Sequence, residues 1–349
     1  MVKVKPARLQ TRPKVSIVVT CYNYGDYLED AVTSALDQSG VDLEVIVADN
    51  GSTDQSLEIA GKIASADSRV QIRTQPENIH PLVNFNQGLA MTTGDYVQVL
   101  CADDMLTTDS ITRAVAVMEA RPDVVFTYGN CPTFVTAPPR ETRQEVRAWS
   151  IWSGLDWVRA RYRAADNLIH HPEVLMRTST LRDIGGYNPD FRLTSDMLLW
   201  MQAALRGNVA RIDGPDQAFY RIHGQNLHIA IIDHGLRKDL EGKQAVFDAL
   251  PRLDPDKGVT AADVDAARLA LANEALRYAC RDYSVSDDEA RELGDSYLDY
   301  AREVCPDIQT SLRWRQIDAA RRTGATLVPR LWRYRDSAEV LARQKLSAH

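Results

Sequence analysis

The chain has 349 residues, of which 44% are hydrophobic and 26% are charged, as is ordinary for a globular protein. Its net charge of −7 argues against a general nucleic-acid-binding protein. Five widely spaced cysteines without a C-x-x-C pair favour reduced thiols over a disulfide framework or a zinc site.

Residues 1–14 are basic and lack the apolar core of a signal peptide. No apolar run reaches the length of about 20 residues that a membrane-spanning helix needs. We therefore expect a cytoplasmic protein, either freely soluble or peripheral at the inner face of the membrane.

Short apolar strands alternate with amphipathic helices over the first third of the chain. This alternation predicts an α/β fold with a doubly wound, mostly parallel sheet, followed by a helical extension. The predicted strands and helices in this part are Val15–Thr20, Tyr27–Leu36, Leu43–Ala48, Leu57–Ile63, Val70–Thr74, Pro81–Met91, Tyr96–Leu100 and Thr108–Ala120.

Three of the strands end in polar residues, at Tyr22–Asn23, Asp49–Asn50 and Asp103–Asp104. Because the carboxyl ends of parallel strands meet at one edge of a sheet, these residues predict the rim of a nucleotide pocket. The glycine-rich signatures of dinucleotide-binding and P-loop proteins are missing after the first strand, which disfavours dehydrogenases and P-loop phosphotransferases.

The adjacent carboxylates of Asp103 and Asp104 repel each other and would be stabilised by a cation. Their hard oxygen ligands suit Mg²⁺ or Mn²⁺, and such an ion can hold a diphosphate. The alternative is a solvated pair that caps the following helix.

Four blocks of the sequence resemble those of inverting family 2 glycosyltransferases with the GT-A fold. The resemblance extends over roughly residues 14–228. It implies transfer of a sugar from a nucleotide diphosphate-sugar to a hydroxyl acceptor. The expected donor is a UDP-sugar, and the expected acceptor is a glycan or a lipid-linked acceptor in cell-surface polysaccharide synthesis. The four blocks are Val15–Asn23, Glu44–Asp54, Asn78–Gly94 and Tyr96–Asp104.

The resemblance implies roles for single residues on the donor side. Asp104 would bind the metal, Mn²⁺ or Mg²⁺. The family's metal motif is commonly D-x-D-D, whereas this chain has Cys101 at the first position, a change that affects a ribose contact rather than the metal site. The residues implied to contact the nucleobase and ribose are Thr20, Tyr22, Asn23, Asp49, Asn50 and Asp103.

On the acceptor side, the Gly-Gly-Tyr turn ending at Tyr187 and the segment Thr194–Trp200 also resemble the family. Asp196 occupies the position of the general base, which removes the proton of the attacking hydroxyl, while Ser195 replaces the usual Glu. The alternative for Asp196 is a helix N-terminal charge that the helix dipole favours by under about 1 kcal/mol.

The segment Tyr220–Asn226 resembles the family's Tyr-Arg-x-His segment. His223 would bind the metal or the diphosphate and Arg221 would neutralise phosphate, although an ordinary loop histidine explains His223 equally well. His170 and His171 are weaker candidates for the acceptor cleft, and simple packing is their alternative.

The predicted organisation is an N-terminal tail (residues 1–13), a GT-A catalytic domain (14–232) and a helical C-terminal region (233–349). Within the catalytic domain, the nucleotide half covers about residues 14–128 and the acceptor half about 129–232. The sequence makes no prediction of the oligomeric state.

Basic and aromatic residues cluster between residues 311 and 335, which we call the Arg/Trp segment. Their interleaving suits contact with an anionic membrane surface, and a charged helix packed on its own domain explains it equally well. The residues are Arg313, Trp314, Arg315, Arg321, Arg322, Leu327, Arg330, Leu331, Trp332, Arg333, Tyr334 and Arg335.

Two other functions compete with sugar transfer. A sugar-phosphate nucleotidyltransferase would use a similar sheet, but it usually has a Gly- and Lys/Arg-rich loop that Cys21–Asp26 lacks. A catalytically degenerate protein that only binds nucleotide-sugars would explain the substitutions at Cys101 and Ser195.

Overall fold

A computed structural model describes residues 1–224, 226, 236–285, 287–324, 326, 329–333 and 336. These residues form two compact units. The first consists of Met1–Val158 and Asn167–Gly224, and the second of Arg159–Asp166 and the described part of Gln225–His349. The domain boundary predicted after residue 232 lies outside the described residues and stays a prediction.

The first unit contains a large sheet, a small sheet and the helices that cover them. Its strands are β1 (Val2–Val4), β2 (Lys14–Cys21), β3 (Asp42–Asp49), β4 (Val70–Thr74), β5 (Tyr96–Cys101), β6 (Met105–Leu106), β7 (Val124–Asn130), β8 (Thr133–Phe134), β9 (Ala148–Trp152), β10 (Leu175–Arg177), β11 (Asn208–Asp216) and β12 (Ala218–Arg221). Its helices are α1 (Gly25–Leu36), α2 (Ser56–Ala66), α3 (Pro81–Leu89), α4 (Ser110–Ala120), α5 (Gly154–Ala164), α6 (Thr178–Ile184) and α7 (Ser195–Ala204), with the end of α5 belonging to the second unit.

In the described chain, nine strands form one large sheet in the order β1-β9-β11-β7-β10-β5-β2-β3-β4. Strands β5, β2, β3 and β4 are parallel neighbours, and the predicted α/β class is confirmed. The sheet is more mixed than predicted, because β10 runs antiparallel between β5 and β7 and β9 runs antiparallel to β11.

The parallel strands are covered on both faces, which explains why apolar residues occupy consecutive positions in them. All of β2 from Val15 to Cys21 is buried. The register pairs Thr20 with Cys101 and Cys21 with Asp49. The polar residues that follow these three strands therefore meet at one edge of the sheet.

Strand β1 lies within the residues that were predicted to form an N-terminal tail. Val2 pairs with Ile151 and Val4 with Trp149, so β1 extends the large sheet as an antiparallel edge strand. Neither β1 nor its partner β9 was predicted from the sequence. A three-residue strand is too short for a hydrophobic period, and its hydrogen bonds depend on a partner about 150 residues away.

The small sheet places β12 against the loop that follows β5. Phe219 of β12 pairs with Met105 of β6, directly after the two aspartates, and Arg221 pairs with Phe134 of β8. The end of β12 is thereby fixed beside Asp104.

The second unit is helical and contains α8 (Arg237–Leu253), α9 (Ala261–Tyr283), α10 (Asp288–Val304) and α11 (Leu312–Thr323). The Tyr162 ring packs 4.7 Å from that of Phe247, and its hydroxyl donates to the Phe247 carbonyl at 2.9 Å. This contact explains why the end of α5, predicted to lie in the catalytic domain, belongs to the helical unit. No described helix combines the length and apolar character needed to cross a bilayer.

The two tryptophans of the Arg/Trp segment, Trp314 and Trp332, make contacts within the helical unit. Trp314 is 8% exposed, and the Trp332 indole donates to Gln316 Oε1 at 2.9 Å. Arg313 pairs with Asp336 and lies 4.9 Å from the Trp332 ring. These contacts favour the packed-helix explanation over membrane binding. Leu327, Tyr334 and Arg335 lie outside the described residues.

Glu44 joins the starts of three parallel strands at the other edge of the sheet. It is 5% exposed, and its carboxylate accepts from Ser16 Oγ (2.5 Å) and from the Thr93 amide (2.6 Å) while pairing with Lys14 (2.7 Å). Burial alone would raise the pKa of Glu44, but the hydrogen bonds from Lys14, Ser16 and Thr93 outweigh it and lower the pKa to about 2.

We predict that Glu44→Gln destabilises the first unit by about 2 kcal/mol at pH 7. A carboxyl whose pKa is lowered on folding stabilises the protein above its unfolded pKa of about 4.3, and this stabilisation is lost as the pH falls towards 2. The midpoints of urea unfolding of the variant and of wild type, at pH 7 and at pH 3, measure this loss of stability. The difference between the two midpoints should be smaller at pH 3 than at pH 7. Glu58→Gln on the exposed face of α2 is the control and should leave the midpoint unchanged. Equal midpoints for Glu44→Gln and wild type at pH 7 would contradict the prediction.

Candidate active site

The loops that follow β2 and β3 are held together by their own side chains. Asp54 accepts hydrogen bonds from the amides of Gly25 and Ser56, both at 2.9 Å, at the starts of α1 and α2. Asn23, with a φ of 56°, accepts from the Thr53 amide at 2.8 Å. The Asn23 side chain, which was predicted to contact a nucleotide, therefore fixes the shape of this rim.

Asp49 ends β3 and is 1% exposed. Its Oδ2 accepts from the amides of Gly51 (3.2 Å) and Ser52 (3.1 Å) and from the Thr74 hydroxyl (3.0 Å). Its Oδ1 is buried and has no partner among the described residues. A buried acceptor without a donor costs about 1–3 kcal/mol, so Asp49 is suited to accept a hydrogen bond from a ligand.

Tyr22 follows the end of β2 and Asn50 follows the end of β3, and their side chains have different surroundings. Tyr22 is 40% exposed, so its ring offers a stacking surface at the rim. The Asn50 amide donates to Asn78 Oδ1 (2.7 Å) and to the Ile79 carbonyl (2.8 Å), and its oxygen accepts from the Ile79 amide (3.2 Å). In this structure Asn50 holds the loop before α3 in place.

The ligand atoms of Cys101, Asp103 and Asp104 lie within 4.8 Å of one another at the end of β5. Asp104 is 1% exposed, and its Oδ1 accepts from the Arg221 amide at 3.0 Å. Its Oδ2 is buried and without a partner in the described chain. Burial, and then the charge of Asp103, raise the pKa of Asp104 well above its usual range. A divalent cation would satisfy the unpaired oxygen and offset the repulsion, so these residues fit a metal site.

β12 brings Arg221 and His223 to this cluster. His223 Nε2 lies 2.9 Å from Asp103 Oδ2, which places the imidazole where a metal or diphosphate contact was predicted. The Arg221 Nε donates to the Asp103 carbonyl at 2.9 Å, and its guanidinium lies 4.7 Å and 4.5 Å from the rings of Tyr27 and Phe134. Arg221 therefore holds the acidic loop against β12 as well as adding positive charge.

Asp196 lies in the first turn of α7, and its side chain is 20% exposed. Its Oδ1 accepts from the Met197 amide at 2.7 Å, and its Oδ2 accepts from Asn167 Nδ2 at 3.0 Å. His171 Nδ1 lies 4.0 Å from the same Oδ2. Since a carboxylate has about four acceptor sites, these contacts orient Asp196 and leave it able to accept a proton.

His171 is held in place by Tyr187, whose hydroxyl lies 3.0 Å from His171 Nε2. The Tyr187 backbone pairs twice with the side chain of Asn86 on α3, at 2.8 Å and 2.7 Å. A Cβ at Gly186 would lie 2.4 Å from Asn86 Oδ1, so the glycine permits this pairing. Burial lowers the pKa of His171, opposed by the charge of Asp196, so the imidazole is neutral near pH 7.

The charge of Asp196 acts on Cys101, which lies beside Asp103 and Asp104. Burial, and then the charges of Asp103 and Asp104, raise the pKa of Cys101, and the charge of Asp196 adds to this shift. Asp196, the predicted base, therefore lies within electrostatic reach of Cys101, whose sulfur is within 4.8 Å of the ligand oxygens of the predicted metal residues.

Other site residues were only partly foreseen. His170 stacks on Tyr220 of β12, with ring centroids 4.9 Å apart. The sequence analysis missed Asn86 and Asn167, which position Tyr187 and Asp196. No motif marks either asparagine, because each acts through a contact that only the folded chain creates.

Comparison with known proteins agrees with this architecture. The sequence model of "Glycosyl transferase family 2" matches residues 16–177. Over 110 residues the chain is 34% identical to the putative teichuronic acid biosynthesis glycosyltransferase TuaG of Bacillus subtilis, a match that covers 32% of this chain and 44% of that relative.

Two solved structures share the fold at low sequence identity. S. aureus TarS 1-349 in complex with UDP-GlcNAc has a TM-score of 0.61 at 17% identity, covering 89% of this chain and 92% of that one. Mannosyltransferase PcManGT from Pyrobaculum calidifontis, in complex with GDP-Man and Mn²⁺, has a TM-score of 0.57 at 19% identity, covering 98% and 89%. These similarities show that the chain has the GT-A fold and that residues 16–177 match the sequence model of family 2 glycosyltransferases.

Proposed function

We propose that the protein transfers a sugar from a nucleotide diphosphate-sugar to a hydroxyl acceptor, with inversion at the anomeric carbon. The observation that carries this proposal is a pair of carboxylates in the first unit. Asp104 is buried, and one of its oxygens has no partner among the described residues. Asp196 is oriented and accessible, and its charge acts on Cys101 in the same cluster as Asp104. The first suits a metal-bound diphosphate and the second suits a general base.

On the donor side, Asp49 would accept a hydrogen bond from the nucleobase through Oδ1, which has no partner among the described residues. Tyr22 would stack on the base from the rim, and Thr20 and Asp103 would contact the ribose and diphosphate. Asn23 and Asn50 would support this pocket by fixing its loops. We expect a UDP-sugar as donor, in keeping with the TarS complex with UDP-GlcNAc.

Asp104 would hold Mn²⁺ or Mg²⁺, with Asp103 and His223 as further ligands or as partners that orient them. Mn²⁺ is present in the PcManGT complex. When bound, such an ion neutralises charge on the departing diphosphate. Arg221 adds positive charge nearby, while its contacts with Tyr27 and Phe134 keep the acidic loop in position.

Asp196 would accept the proton of the acceptor hydroxyl as that oxygen attacks the anomeric carbon. The new carbon–oxygen bond forms as the bond to the diphosphate breaks, so a single displacement inverts the configuration and needs no enzyme nucleophile. Asn167 and His171 would keep the carboxylate aimed at the acceptor, and a neutral His171 leaves the basicity of Asp196 available.

The acceptor class we propose is a growing cell-surface glycan or its lipid-linked precursor. This agrees with the similarity to TuaG, whose name places it in teichuronic acid biosynthesis. A nucleotidyltransferase or a pure binder would not need an oriented carboxylate on the acceptor side, so the geometry at Asp196 favours transfer over both.

Asp104→Ala should weaken metal-dependent donor binding by about 100-fold or more, since loss of even an outer-shell partner costs about 10–100-fold in metal affinity. The measurement is calorimetric titration with UDP and UDP-sugars, with and without Mn²⁺. The matched control is Asp42→Ala. Asp42 is the first residue of β3, at the edge of the sheet away from the proposed site, so this variant should bind the donor like wild type. Unchanged affinity of Asp104→Ala in Mn²⁺ would remove the metal assignment.

Asp196→Asn should lower kcat by about 10²–10⁴-fold, the range for loss of a general base, with donor affinity little changed. A base that acts only in the chemical step stabilises the transition state more than it stabilises the bound donor. Steady-state transfer and donor titration on the same preparation separate the two effects. Asp190→Asn is the control, since Asp190 lies on an exposed 3₁₀ turn. Near-normal turnover of Asp196→Asn would place the base elsewhere, and equal losses in binding and turnover would point to a structural role.

A further inference from the structure

Cys101 places a sulfur atom beside the two carboxylates of the acidic cluster. Its Sγ lies within 4.8 Å of the ligand oxygens of Asp103 and Asp104. We propose that the metal site of this protein is a mixed sulfur–oxygen site in which the Cys101 thiolate is a direct ligand. The site then prefers Zn²⁺ or Co²⁺ to Mg²⁺. This inference rests on the metal role proposed above and adds the identity of the ligand set.

A second observation shows that the cluster is arranged around a missing ligand. Asp104 is 1% exposed, and its Oδ2 has no partner in the described chain although it is buried. Its other oxygen is occupied by the Arg221 amide. Asp104 also offers one of the three ligand atoms in the group that includes the Cys101 sulfur. A cation bound to this group would contact the sulfur and a carboxylate oxygen of Asp104.

The distances allow this coordination. Zinc ligands lie about 2.0–2.3 Å from the ion, so two of them are separated by at most about 4.5 Å. The ligand atoms of the three residues lie up to 4.8 Å apart. Side-chain movements on the order of 1 Å would bring them within coordination distance of one ion. Thr20 is the neighbour of Cys101 in the β2–β5 register, at the edge of the sheet where these strands end.

The chemistry of the ligands sets the preference. Thiolates are soft ligands that select zinc-like ions, whereas an all-carboxylate site suits Mg²⁺ and Mn²⁺. Cys101 loses its proton to the solvent when it coordinates, so the filled site joins one thiolate and two carboxylates to a divalent ion. His223 Nε2, 2.9 Å from Asp103 Oδ2, adds an imidazole at the border of the site, and imidazole also suits zinc-like ions.

Co²⁺ titration of the full chain in the presence of UDP tests the proposal, because a thiolate bound to Co²⁺ gives a charge-transfer band in the near ultraviolet that oxygen ligands do not give. We expect the band in wild type and its loss in Cys101→Ser. Cys101→Asp should lose the band, keep metal binding, and lower the Zn²⁺-to-Mn²⁺ affinity ratio by about tenfold or more, the scale on which ligand surroundings change metal affinity. Cys305→Ser, in the helical unit, controls for the other thiols and should keep the band.

Co²⁺ binding without the band, or a band that persists in Cys101→Ser, would overturn the proposal. Failure of wild type to bind Co²⁺ would overturn it as well. A transfer assay with UDP-sugars and Mn²⁺ separates this result from the proposed function. Transfer without a thiolate band rejects only the sulfur ligand, whereas a Cys101-dependent band without transfer from any donor supports the ligand and rejects the function.

Discussion

The burial of two adjacent carboxylates at the end of β5 is the constraint on which the rest of this site depends. Charged groups of like sign are costly in a poorly solvated position unless cations or donors compensate them. The protein supplies one amide and one guanidinium through Arg221 and an imidazole through His223. One oxygen of Asp104 has no hydrogen-bond partner in the part of the chain that the structure describes. The protein therefore compensates the negative charge of these buried carboxylates only in part, and a bound cation would compensate the remainder.

The two edges of the large sheet differ in how completely their buried carboxylates are hydrogen-bonded. At the edge where the parallel strands begin, Glu44 has its hydrogen bonds satisfied by Ser16, Thr93 and Lys14. At the edge where they end, Asp49 and Asp104 each have a buried oxygen for which the described residues provide no partner. Parallel strands produce this asymmetry, because all their carboxyl ends lie on one side. The acidic loop is then fixed by the small sheet, in which β12 returns to pair with β6.

Polar contacts link Asp196, on the proposed acceptor side, to α3, which packs on the strands of the proposed donor side. Asn86 on α3 pairs with the Tyr187 backbone, Tyr187 contacts His171, and His171 lies beside Asp196. A displacement of α3 would therefore move the supports of Asp196. Since α3 packs on β2 and β3, whose ends form the donor rim, both halves of the proposed site share one support.

The sequence alone was sufficient for the strands β2 to β5, because buried parallel strands leave continuous apolar runs that end in polar turns. It also identified Asp49, Asp104 and Asp196 as candidates through motif position. Tertiary structure decided that Asn50 holds a loop, that Trp314 packs within the helical unit, and that Val2–Val4 form an edge strand. It also brought Asn86, His171 and the Cys101 sulfur to the site. Local sequence encodes hydrophobic period and strand ends, whereas the hydrogen bonds of these residues join positions that are far apart in the chain and adjacent only after folding.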